Sequence, residues 1–459
     1  MKRRACRFLR LLTVAAVLAA SPLSLRAQLS MPCRMFDLPN GLHVILHEDH
    51  TVPVIGVNLW YHVGSARERA GRTGLAHLFE HLMFEGSGHV PLGRFDEWLE
   101  AAGGDNNAST SVDRTNYFES APSNALDLTL FLESDRMAFL VDSMTPAKVD
   151  IQRDVVKNER RETYENQPYG EAWLLLDENL FPPGHPYHSP VIGSMDDLTA
   201  ATYDDVVGFF RRYYIPSNAS LVIAGDINPE EARKAVTRWF SDVPAGPPVQ
   251  PLNAPLPRLT SERRLVAEDR VQLPRLYMAW ATPAQFAPGN AELNVLSLIL
   301  AGGKNSRLYR RLVYDLRIAQ DVTAFQEENE LSSKFYIVAT AREGHTLGEL
   351  ERIIDAELGN LSGILPDRRE IARAVNTIQA SFVDRMERMY DRADQLNAYF
   401  TATGNPDYFA EDLGRYGKLD PDGISAAAKK YLDPAVRVVL SVVPAGRKDL
   451  AAEPPEGGK

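Results

Sequence analysis

The sequence predicts an α+β protein of two structurally related halves, each a mainly antiparallel sheet layered with helices, joined by a proline-rich linker. Three observations support this prediction. The chain has 459 residues, which is too long for one ordinary hydrophobic core. Short β-branched runs alternate with longer helical patterns in both parts of the chain. Residues 243–257, VPAGPPVQPLNAPLP, contain six prolines, and proline fits neither a helix interior nor an inner strand.

The N-terminal segment 1–27 has the pattern of a secretory signal peptide. Five basic residues precede the apolar run 11–20, and a small-residue exit ends at Ala27. The apolar run is shorter than the roughly 20 residues that a membrane-spanning helix needs. We therefore expect cleavage of this segment, no stable membrane span in the mature chain, and a periplasmic or secreted protein of a bacterium. An uncleaved anchoring segment is the alternative interpretation.

The charge and the cysteine content exclude several classes of protein. Loss of the segment 1–27 removes six positive charges and takes the formal net charge from -11 to -17. Such an acidic chain is a poor candidate for binding nucleic acid, because that affinity depends on Lys and Arg contacts to phosphate. Cys33 is the one cysteine after position 27, so the mature chain has no internal disulfide and no cysteine metal site. We expect Cys33 to act as a small apolar side chain.

The organisation along the chain follows from the linker. We expect an N-terminal half over 28–242, the linker over 243–257, a C-terminal half over 258–446 and a disordered tail over 447–459. The segment FFRRYYIPSNASLVIAGD in the first half and AAAKKYLDPAVRVVLSVV in the second share one order of features: helix end, turn and apolar strand. They align without a gap when Tyr214 is placed on Tyr431, which predicts a constant offset of 217 between equivalent residue numbers.

Hydrophobic periodicity predicts the individual elements of each half. In the first half it predicts paired strands within 42–63, helices over 73–84 and 95–102, a stretch of strand character over 107–119, and helices over 125–140 and 148–164. In the second half it predicts a strand over 275–281, a helix over 291–300, strands over 322–325 and 334–340, and helices over 347–361 and 368–400. Helices therefore outnumber strands.

The segment HLFEH in the first predicted helix carries the clearest chemistry. His77 and His81 are four apart in the sequence, so both imidazoles project from one face of a helix and can reach one zinc ion. Glu80 lies beside them, where its carboxylate can take a proton from a water molecule that attacks a peptide carbonyl. Two histidines at this spacing more often mark only a polar helix face, so the pattern needs a third ligand. Helix spacing in DIQRDVVKNERRETYENQPYG leaves Glu159, Glu162 and Glu165 open as that ligand.

HLFEH followed far downstream by RDVVKNERR resembles the pitrilysin/insulinase family of zinc peptidases, the inverzincins, including bacterial relatives of the mitochondrial processing peptidase beta subunit. The resemblance covers about positions 36 to 443. In that family two histidines and a glutamate bind zinc, which implies His77, His81 and Glu159 here, with Glu80 as the general base. The second half has AELNVLSLILAGG in place of a second motif, so one zinc ion per chain is implied.

Two further segments match the family. GGDNNASTSVDRTNYFES resembles the edge strand that adds a substrate peptide to the sheet, which implies backbone contacts from Asn107 and Ala108. The alternative is an ordinary surface strand. HPYHSPVIGSMDDL resembles a recurrent family stretch, in which we interpret His185 and His188 as structural.

The sequence departs from the family pattern at three positions. Gln152 stands where the family often has a second acid, and we expect it to hydrogen-bond near the metal as an outer contact. Single-chain members supply an arginine and a tyrosine from the C-terminal half, and alignment of GGKNSRLYRRLVYDLRIAQDV places Val313 and Gln320 there. Neither can supply the positive charge or the phenol that these positions require. Arg310, Arg311 and Tyr314 are close in sequence but out of register on a helix.

The combined prediction is a zinc-dependent endopeptidase that cleaves peptides or small unfolded polypeptides. We expect the chain to be the metal-bearing subunit of a two-subunit peptidase, with a related partner that supplies the arginine and tyrosine; a homodimer is the other arrangement. The alternative function is a non-catalytic binding or assembly subunit, against which the four intact residues of the site argue. A hydrolase of a non-peptide ester or amide has only the metal chemistry in its favour.

Overall fold

The computed structural model describes residues 30–361 and 363–452. The predicted signal peptide lies outside this range. In chain order the first half contains β1 (Arg34–Asp37), β2 (His43–Glu48), β3 (Val54–Tyr61), α1 (Leu75–Leu82), α2 (Arg94–Ala101), β4 (Asp105–Thr110), β5 (Thr115–Pro122), α3 (Leu126–Ser143), α4 (Pro146–Arg160), a π-helical turn (Arg161–Glu165), α5 (Glu171–Leu180), α6 (Met195–Ala200), α7 (Tyr203–Tyr213), β6 (Ala219–Gly225) and α8 (Pro229–Phe240). The second half contains β7 (Arg263–Asp269), β8 (Arg275–Thr282), α9 (Asn290–Ala301), a π-helical turn (Tyr309–Asp315), β9 (Ala319–Glu327), β10 (Ser333–Ala341), α10 (Leu347–Asn360), α11 (Arg368–Arg385), α12 (Met389–Thr403), α13 (Phe409–Tyr416), α14 (Pro421–Tyr431) and β11 (Val438–Pro444).

Each half is built on one sheet, as the sequence predicts. The first sheet has the order β1-β2-β6-β3-β5-β4, and the second has the order β7-β11-β8-β10-β9. The second sheet repeats the first without β1, because β6 and β11 each pair parallel to the first strand of the repeat and antiparallel to the next. Both sheets are otherwise antiparallel, so the predicted fold class is confirmed.

The predicted pairing within 42–63 is wrong. The alternating pattern correctly indicates two strands, but β6 lies between β2 and β3 and pairs with both. All of β6 is buried, so this strand takes the centre of the sheet. A local pattern indicates that strands form, whereas the partner here is a strand from the far end of the first half.

The repeat between the halves is present in the topology, but the predicted offset of 217 is too small. The single turns that precede the central strands lie at Pro216–Asn218 and Pro434–Val436, an offset of 218 in residue number. The strands β6 and β11 begin at Ala219 and Val438, an offset of 219. The connection in the second half is therefore longer, which a gapless alignment cannot represent.

The linker separates the two sheets but not the helices that cover them. Helix α5 of the first half packs on the second sheet, where Leu176 joins a buried cluster with Ala279 and Val438. Helix α12 of the second half packs on the first sheet, where Leu396 joins a buried cluster with Val222. Each half thus completes its core with a helix from the other, and positions 241–262 connect the sheets without helix or strand.

The predicted helix over 368–400 is two helices, which break at positions 386–388. The break lets α12 turn onto the first sheet. There Gly56 on β3 approaches the first turn of α12 so closely that a Cβ would lie 2.6 Å from the backbone of Met389 and of Tyr390. Asn397 donates to the backbone oxygen of Asn58 at 3.1 Å and so fixes α12 along β3.

The structure also describes part of the predicted C-terminal tail and the surroundings of Cys33. Disorder from position 447 is wrong as far as position 452, because Ala451 and Ala452 are buried and the Ala452 amide donates to Ser441 Oγ at 3.1 Å. Positions 453–459 lie outside the described range. Cys33 is half-buried, and burial raises the pKa of its thiol to about 11. No helix in the described ranges has the length and apolar character to cross a membrane.

Candidate metal centre

The N-terminus of α1, the helix that carries HLFEH, is held by a cap from an upstream residue. Its first residue follows Gly74, which has φ of 87° and contributes no side-chain cap. The cap comes from Glu68, whose carboxylate accepts hydrogen bonds from the backbone amides of Gly74 at 2.8 Å and Ala76 at 2.7 Å. Burial raises the pKa of Glu68 to about 8, while the bonds from these amides act in the opposite direction. Sequence reasoning missed Glu68, because it lies too far before the helix for any capping pattern.

The recurrent segment HPYHSPVIGSMDDL braces the same helix start. Gly193 lies against Gly74 with no room for a side chain: a Cβ at Gly193 would lie 2.5 Å from the Gly74 Cα. Thr73 Oγ1 donates to Asp197 Oδ2 at 2.6 Å. The segment therefore holds both the backbone and a side chain at the entry to α1.

The two histidines of this segment make contacts within their own loop. His185 stacks on Phe181, with ring centroids 4.8 Å apart. His188 Nδ1 lies 2.9 Å from the Phe181 backbone oxygen. Among the described residues, neither histidine belongs to a group that could hold a metal.

Three predicted ligands converge. The rings of His77 and His81 have centroids 4.9 Å apart on one face of α1. The Nε2 atoms of His77 and His81 lie 3.6 Å and 3.2 Å from the two carboxylate oxygens of Glu159. A donor atom of each residue lies within 4.8 Å of the other two.

This donor set fits zinc. Donor atoms about 2.1 Å from a tetrahedral ion lie about 3.4 Å from one another, close to the two measured separations. Two imidazole nitrogens and one carboxylate leave a fourth position open, as catalytic zinc sites do. Within 30–361 and 363–452, no second group of three His, Cys, Asp or Glu side chains meets the same distance criterion.

The protonation states suit a cation. Burial lowers the pKa of His77, which favours the neutral imidazole that a metal requires. The hydrogen bond with His81 lowers the pKa of Glu159, so this carboxylate is charged near neutral pH. A divalent cation would thus meet a neutral nitrogen at His77 and a negative oxygen at Glu159.

The tertiary structure distinguishes Glu159 from its neighbours. Helix α4 begins at Pro146 with Thr145 as its N-cap and ends directly after Glu159, where the π-helical turn starts. Glu162 in that turn is exposed, and Glu165 accepts a hydrogen bond from Arg160 at 3.2 Å. Of the three glutamates that helix spacing leaves open, the fold brings Glu159 to the histidines.

Gln152 does not contact the ligands directly, which differs from the expected outer contact. Its side-chain amide donates to Glu85 Oε1 at 2.6 Å, and in the described part of the chain it makes no hydrogen bond to the three candidate ligands. Glu85 follows the end of α1. Gln152 therefore ties α4 to the segment after α1, and these two helices carry the candidate ligands.

Glu80 is held by the neighbouring strand. Its Oε2 accepts a hydrogen bond from Thr110 Oγ1 at 2.6 Å, and Thr110 is the last residue of β4. Behind the helix, the Tyr117 hydroxyl donates to the backbone oxygen of Phe79 at 3.2 Å. The carboxylate therefore has a defined orientation beside the three ligands. Sequence reasoning missed Thr110, since it lies on a separate strand that no helical spacing relates to Glu80.

Strand β4 forms the outer edge of the first sheet. The Ser111 amide donates to the backbone oxygen of Arg114 at 2.8 Å, which closes the hairpin. Because bonded pairs alternate along an antiparallel ladder, the backbone groups of Asn107 point to β5 and those of Ala108 point outward. The outward amide of Ala108 donates to the side-chain oxygen of Asn107 at 2.8 Å.

The segment predicted to lack the arginine and tyrosine lies in the second half. Val313 packs partly buried against the second core, and Gln320 is exposed on β9. Tyr314 is 72% exposed. Arg310 lies 3.9 Å from Asp315 in a loose ion pair.

Comparison with known proteins gives the family. The range 43–177 matches the family described as Insulinase (Peptidase family M16), and the range 200–378 matches the Peptidase M16 inactive domain. The chain belongs to the insulinase family. The converging residues all lie within the first of these two matches, and the half without an HLFEH segment carries most of the second.

Relatives of this insulinase-family chain include named peptidases. It is 29% identical over 402 residues to the zinc protease PqqE of Helicobacter pylori, which covers 85% of this chain and 88% of that protein. It is 24% identical to a probable mitochondrial-processing peptidase subunit beta of Arabidopsis thaliana over 87% of this chain and 76% of the relative. A solved protease of Helicobacter pylori superposes with a TM-score of 0.84 at 26% identity, covering 91% of this chain and 100% of that one.

One solved structure shares the fold at lower identity. The periplasmic protease PqqL of Escherichia coli is 19% identical with a TM-score of 0.74, and the match covers 90% of this chain but 48% of that chain. The insulinase-family chain thus corresponds to about half of that longer protein.

Proposed function

We propose that this chain is a zinc-dependent endopeptidase in which His77, His81 and Glu159 hold the metal and Glu80 is the general base. The observation that carries the proposal is the convergence of three donor atoms within 4.8 Å beside a carboxylate fixed by Thr110. Relatives named as zinc proteases support the same chemistry. A bound zinc ion would supply Lewis acidity, which lowers the pKa of a water molecule and polarises a peptide carbonyl.

The residues of the chain itself would move the proton. Glu80 takes a proton from the attacking water and returns it to the leaving amine, since one carboxylate can serve both steps. The hydrogen bond from Thr110 keeps Oε2 occupied, so Oε1 is the oxygen free to accept that proton. Glu159, His77 and His81 would hold the metal while Glu80 moves the proton.

The substrate would bind as an added strand on β4. The outward backbone groups of Ala108 offer one donor and one acceptor to an extended peptide. The Asn107 side chain now accepts the Ala108 amide, so a substrate carbonyl would replace it there. Because β4 also carries Thr110, a peptide on this edge would lie next to Glu80. This geometry favours cleavage of peptides or unfolded segments over folded proteins.

The unit of function would be two subunits. Val313 and Gln320 supply neither a positive charge nor a phenol, so a related partner would contribute an arginine and a tyrosine. One relative is named a subunit beta, and the similar PqqL is about twice as long as this match. A homodimer is the other arrangement. The name of PqqL as a periplasmic protease and the N-terminal pattern support a periplasmic location.

The alternative is a non-catalytic binding or assembly subunit. Metal analysis of the purified native protein and peptide cleavage by wild type and Glu80→Gln separate the two functions. We expect one zinc ion per chain in both proteins and cleavage by wild type alone. Equal cleavage by the zinc-loaded Glu80→Gln protein would refute the general-base role. Zinc binding without cleavage, in the presence of any co-purifying partner, would favour the alternative.

The two-subunit arrangement has its own measurement. Native mass spectrometry of protein purified from its own cells should show a complex with a related chain, and the isolated chain should cleave poorly. Full activity of the monomer would contradict this part of the proposal while leaving the metal assignment untouched.

A further inference from the structure

A cavity of about 650 Å³ lies where the segment after Glu159 meets the second sheet. The first half contributes Tyr164, Tyr169 and Trp173, and the second half contributes Arg275, Tyr277 and Phe325. The proposed chemistry uses none of these six residues. The cavity is large enough for a bulky side chain with room to spare.

The cavity begins close to the candidate metal centre. Thr163 and Tyr164 line it, and both belong to the π-helical turn that directly follows α4. Thr163 lies about one turn beyond Glu159, which corresponds to about 6 Å of helical rise. An extended peptide advances about 3.3 Å per residue, so the near end of the cavity lies about two peptide residues from Glu159. The walls formed by the second sheet lie further from Glu159, which extends the range to about two to four residues.

Two large rings are open to solvent beside the cavity. Trp173 is 37% exposed and Phe325 is 38% exposed, and their centroids lie 6.1 Å apart. Buried rings support them: Trp173 meets Tyr277 edge-on at 5.4 Å, and Phe325 packs on Tyr336 at 5.2 Å. The wall therefore consists of fixed aromatic surface, which offers faces and edges to another ring.

The charged groups of the cavity compensate each other. The guanidinium of Arg275 lies 3.8 Å from the centre of the Tyr169 ring, and its Nε donates to Thr340 Oγ1 at 2.9 Å. Thr340 in turn donates to Asp321 Oδ1 at 3.0 Å. One cation and one carboxylate share this network, so the cavity has no excess charge to select an acidic or basic side chain.

The wall under Arg275 is rigid. Tyr169 has φ of 64°, a left-handed conformation that is unfavourable for a residue with a large side chain. Its amide donates to Asp269 Oδ2 and its hydroxyl to the Leu273 backbone oxygen, each at 2.7 Å. Both acceptors belong to the second half. The two halves thus hold Tyr169 in place together.

We propose that this cavity, the aromatic pocket, binds an aromatic side chain of the peptide substrate about two to four residues from the cleaved bond. The inference rests on the proposed function and adds its side-chain preference. Burial of a phenylalanine ring against such a wall corresponds to a preference of about tenfold or more over alanine.

The first test measures binding without cleavage. Zinc-loaded Glu80→Gln protein is titrated with serine–alanine dodecapeptides that carry one phenylalanine, leucine, aspartate or arginine at each position in turn. We expect at least about tenfold tighter binding for phenylalanine at one position. Thr323 also lines the cavity. Phe325→Ala, which removes one wall, and Thr323→Trp, which fills the space, should each abolish most of the preference for phenylalanine. Phe139→Ala is the matched control, because Phe139 is 40% exposed on α3, away from the aromatic pocket.

Three results would overturn the assignment of the aromatic pocket as a binding site for an aromatic side chain. These are equal binding of all peptides, a phenylalanine preference that survives both Phe325→Ala and Thr323→Trp, and a preference for aspartate that disappears in Arg275→Gln. Circular dichroism and zinc content of each variant show that the fold and the metal centre are retained.

The second test separates this inference from the proposed function. The same peptides are given to wild-type protein purified with any partner that it binds in its own cells, and kcat/KM is measured for each. Cleavage without an aromatic preference would overturn the aromatic pocket and leave the peptidase assignment standing. A binding preference that depends on Phe325, without cleavage of any peptide, would keep the pocket and overturn the peptidase assignment.

Discussion

The hydroxyl of Thr110 donates to the carboxylate of Glu80 at 2.6 Å, and this bond joins the exposed edge of the first sheet to the proposed general base. The strand that would hold a peptide therefore also orients the group that would activate water. Binding and proton transfer share one rigid element in this arrangement.

Loss of the Thr110 hydroxyl tests that link. We expect Thr110→Val to lower kcat about tenfold with little change in KM, because Glu80 loses its orientation while the backbone of β4 still pairs with peptide. Thr110→Ser keeps the hydroxyl and should restore most of kcat. Zinc content should be equal in all three proteins. An unchanged kcat in Thr110→Val would show that the bond has no role in catalysis.

The choice of Glu159 as a ligand has a matched control in the next helical turn. We expect Glu159→Gln to weaken zinc binding by about 100-fold or more, because a neutral amide replaces the one negative donor. Glu162→Gln changes an exposed side chain of the same segment and should bind zinc like wild type. Competition with a chromogenic chelator measures both affinities. Equal affinities for the two variants would contradict the assignment.

The cap that Glu68 provides for α1 should contribute to the stability of the fold and to zinc affinity. We expect Glu68→Ala to lower the free energy of unfolding by about 2 kcal/mol, because two buried amides at Gly74 and Ala76 lose their acceptor. Zinc affinity should fall as well, because the candidate ligand His77 directly follows Ala76 in the same helical turn. Urea denaturation measures the first effect. Glu100→Gln on α2 is exposed and serves as a control that should leave both quantities unchanged.

Helix α12 belongs to the second half but packs on the first sheet, and this contact depends on Gly56. A Cβ there would lie 2.6 Å from the backbone of Met389, and backbone atoms cannot yield as a flexible side chain can. We expect Gly56→Ala to destabilise the protein by about 2 kcal/mol or more in thermal or urea unfolding. Gly208→Ala on α7 meets open space and should be neutral or stabilising by up to about 1 kcal/mol. Equal stability of the two variants would show that α12 adjusts freely.

The loss of folding stability at acid pH should depend in part on His62. Burial lowers the pKa of this imidazole to about 4, and the charges of His43 and Arg67 act in the same direction. A histidine whose folded pKa lies below its unfolded pKa contributes stability above about pH 6.5, and that stability is lost as the pH falls towards 4. Between these limits the free energy of unfolding should fall by up to about 3 kcal/mol from this residue alone.

The measurement compares wild type with His62→Gln in urea at a series of pH values. The variant lacks the titrating group, so its unfolding midpoint should fall less steeply between pH 6.5 and 4. Parallel curves for the two proteins would mean that His62 is protonated in the folded state as readily as in the unfolded state.

Much of the candidate site is predictable because its spacing is local. His77, Glu80 and His81 lie within little more than one helical turn, so helical periodicity places them together before any tertiary contact is known. Most strands and helices are likewise recognisable from local patterns. Three of the errors concern contacts between distant segments: the neighbour of β2, the position of α12, and the partner of Gln152.

By itself the sequence determined the two-sheet architecture, the histidine pair with its glutamate, and the family to which these motifs belong. The family resemblance already implied Glu159, which helical spacing could not distinguish from Glu162 and Glu165, and the tertiary structure brings it to the histidines. Only the tertiary structure decided that Thr110 and Glu68 hold the site, and that each sheet is covered by a helix from the other half. The physical reason is that helix and strand periodicities report on near neighbours in the chain. Contacts between distant segments depend instead on how whole layers pack, and no local pattern encodes that.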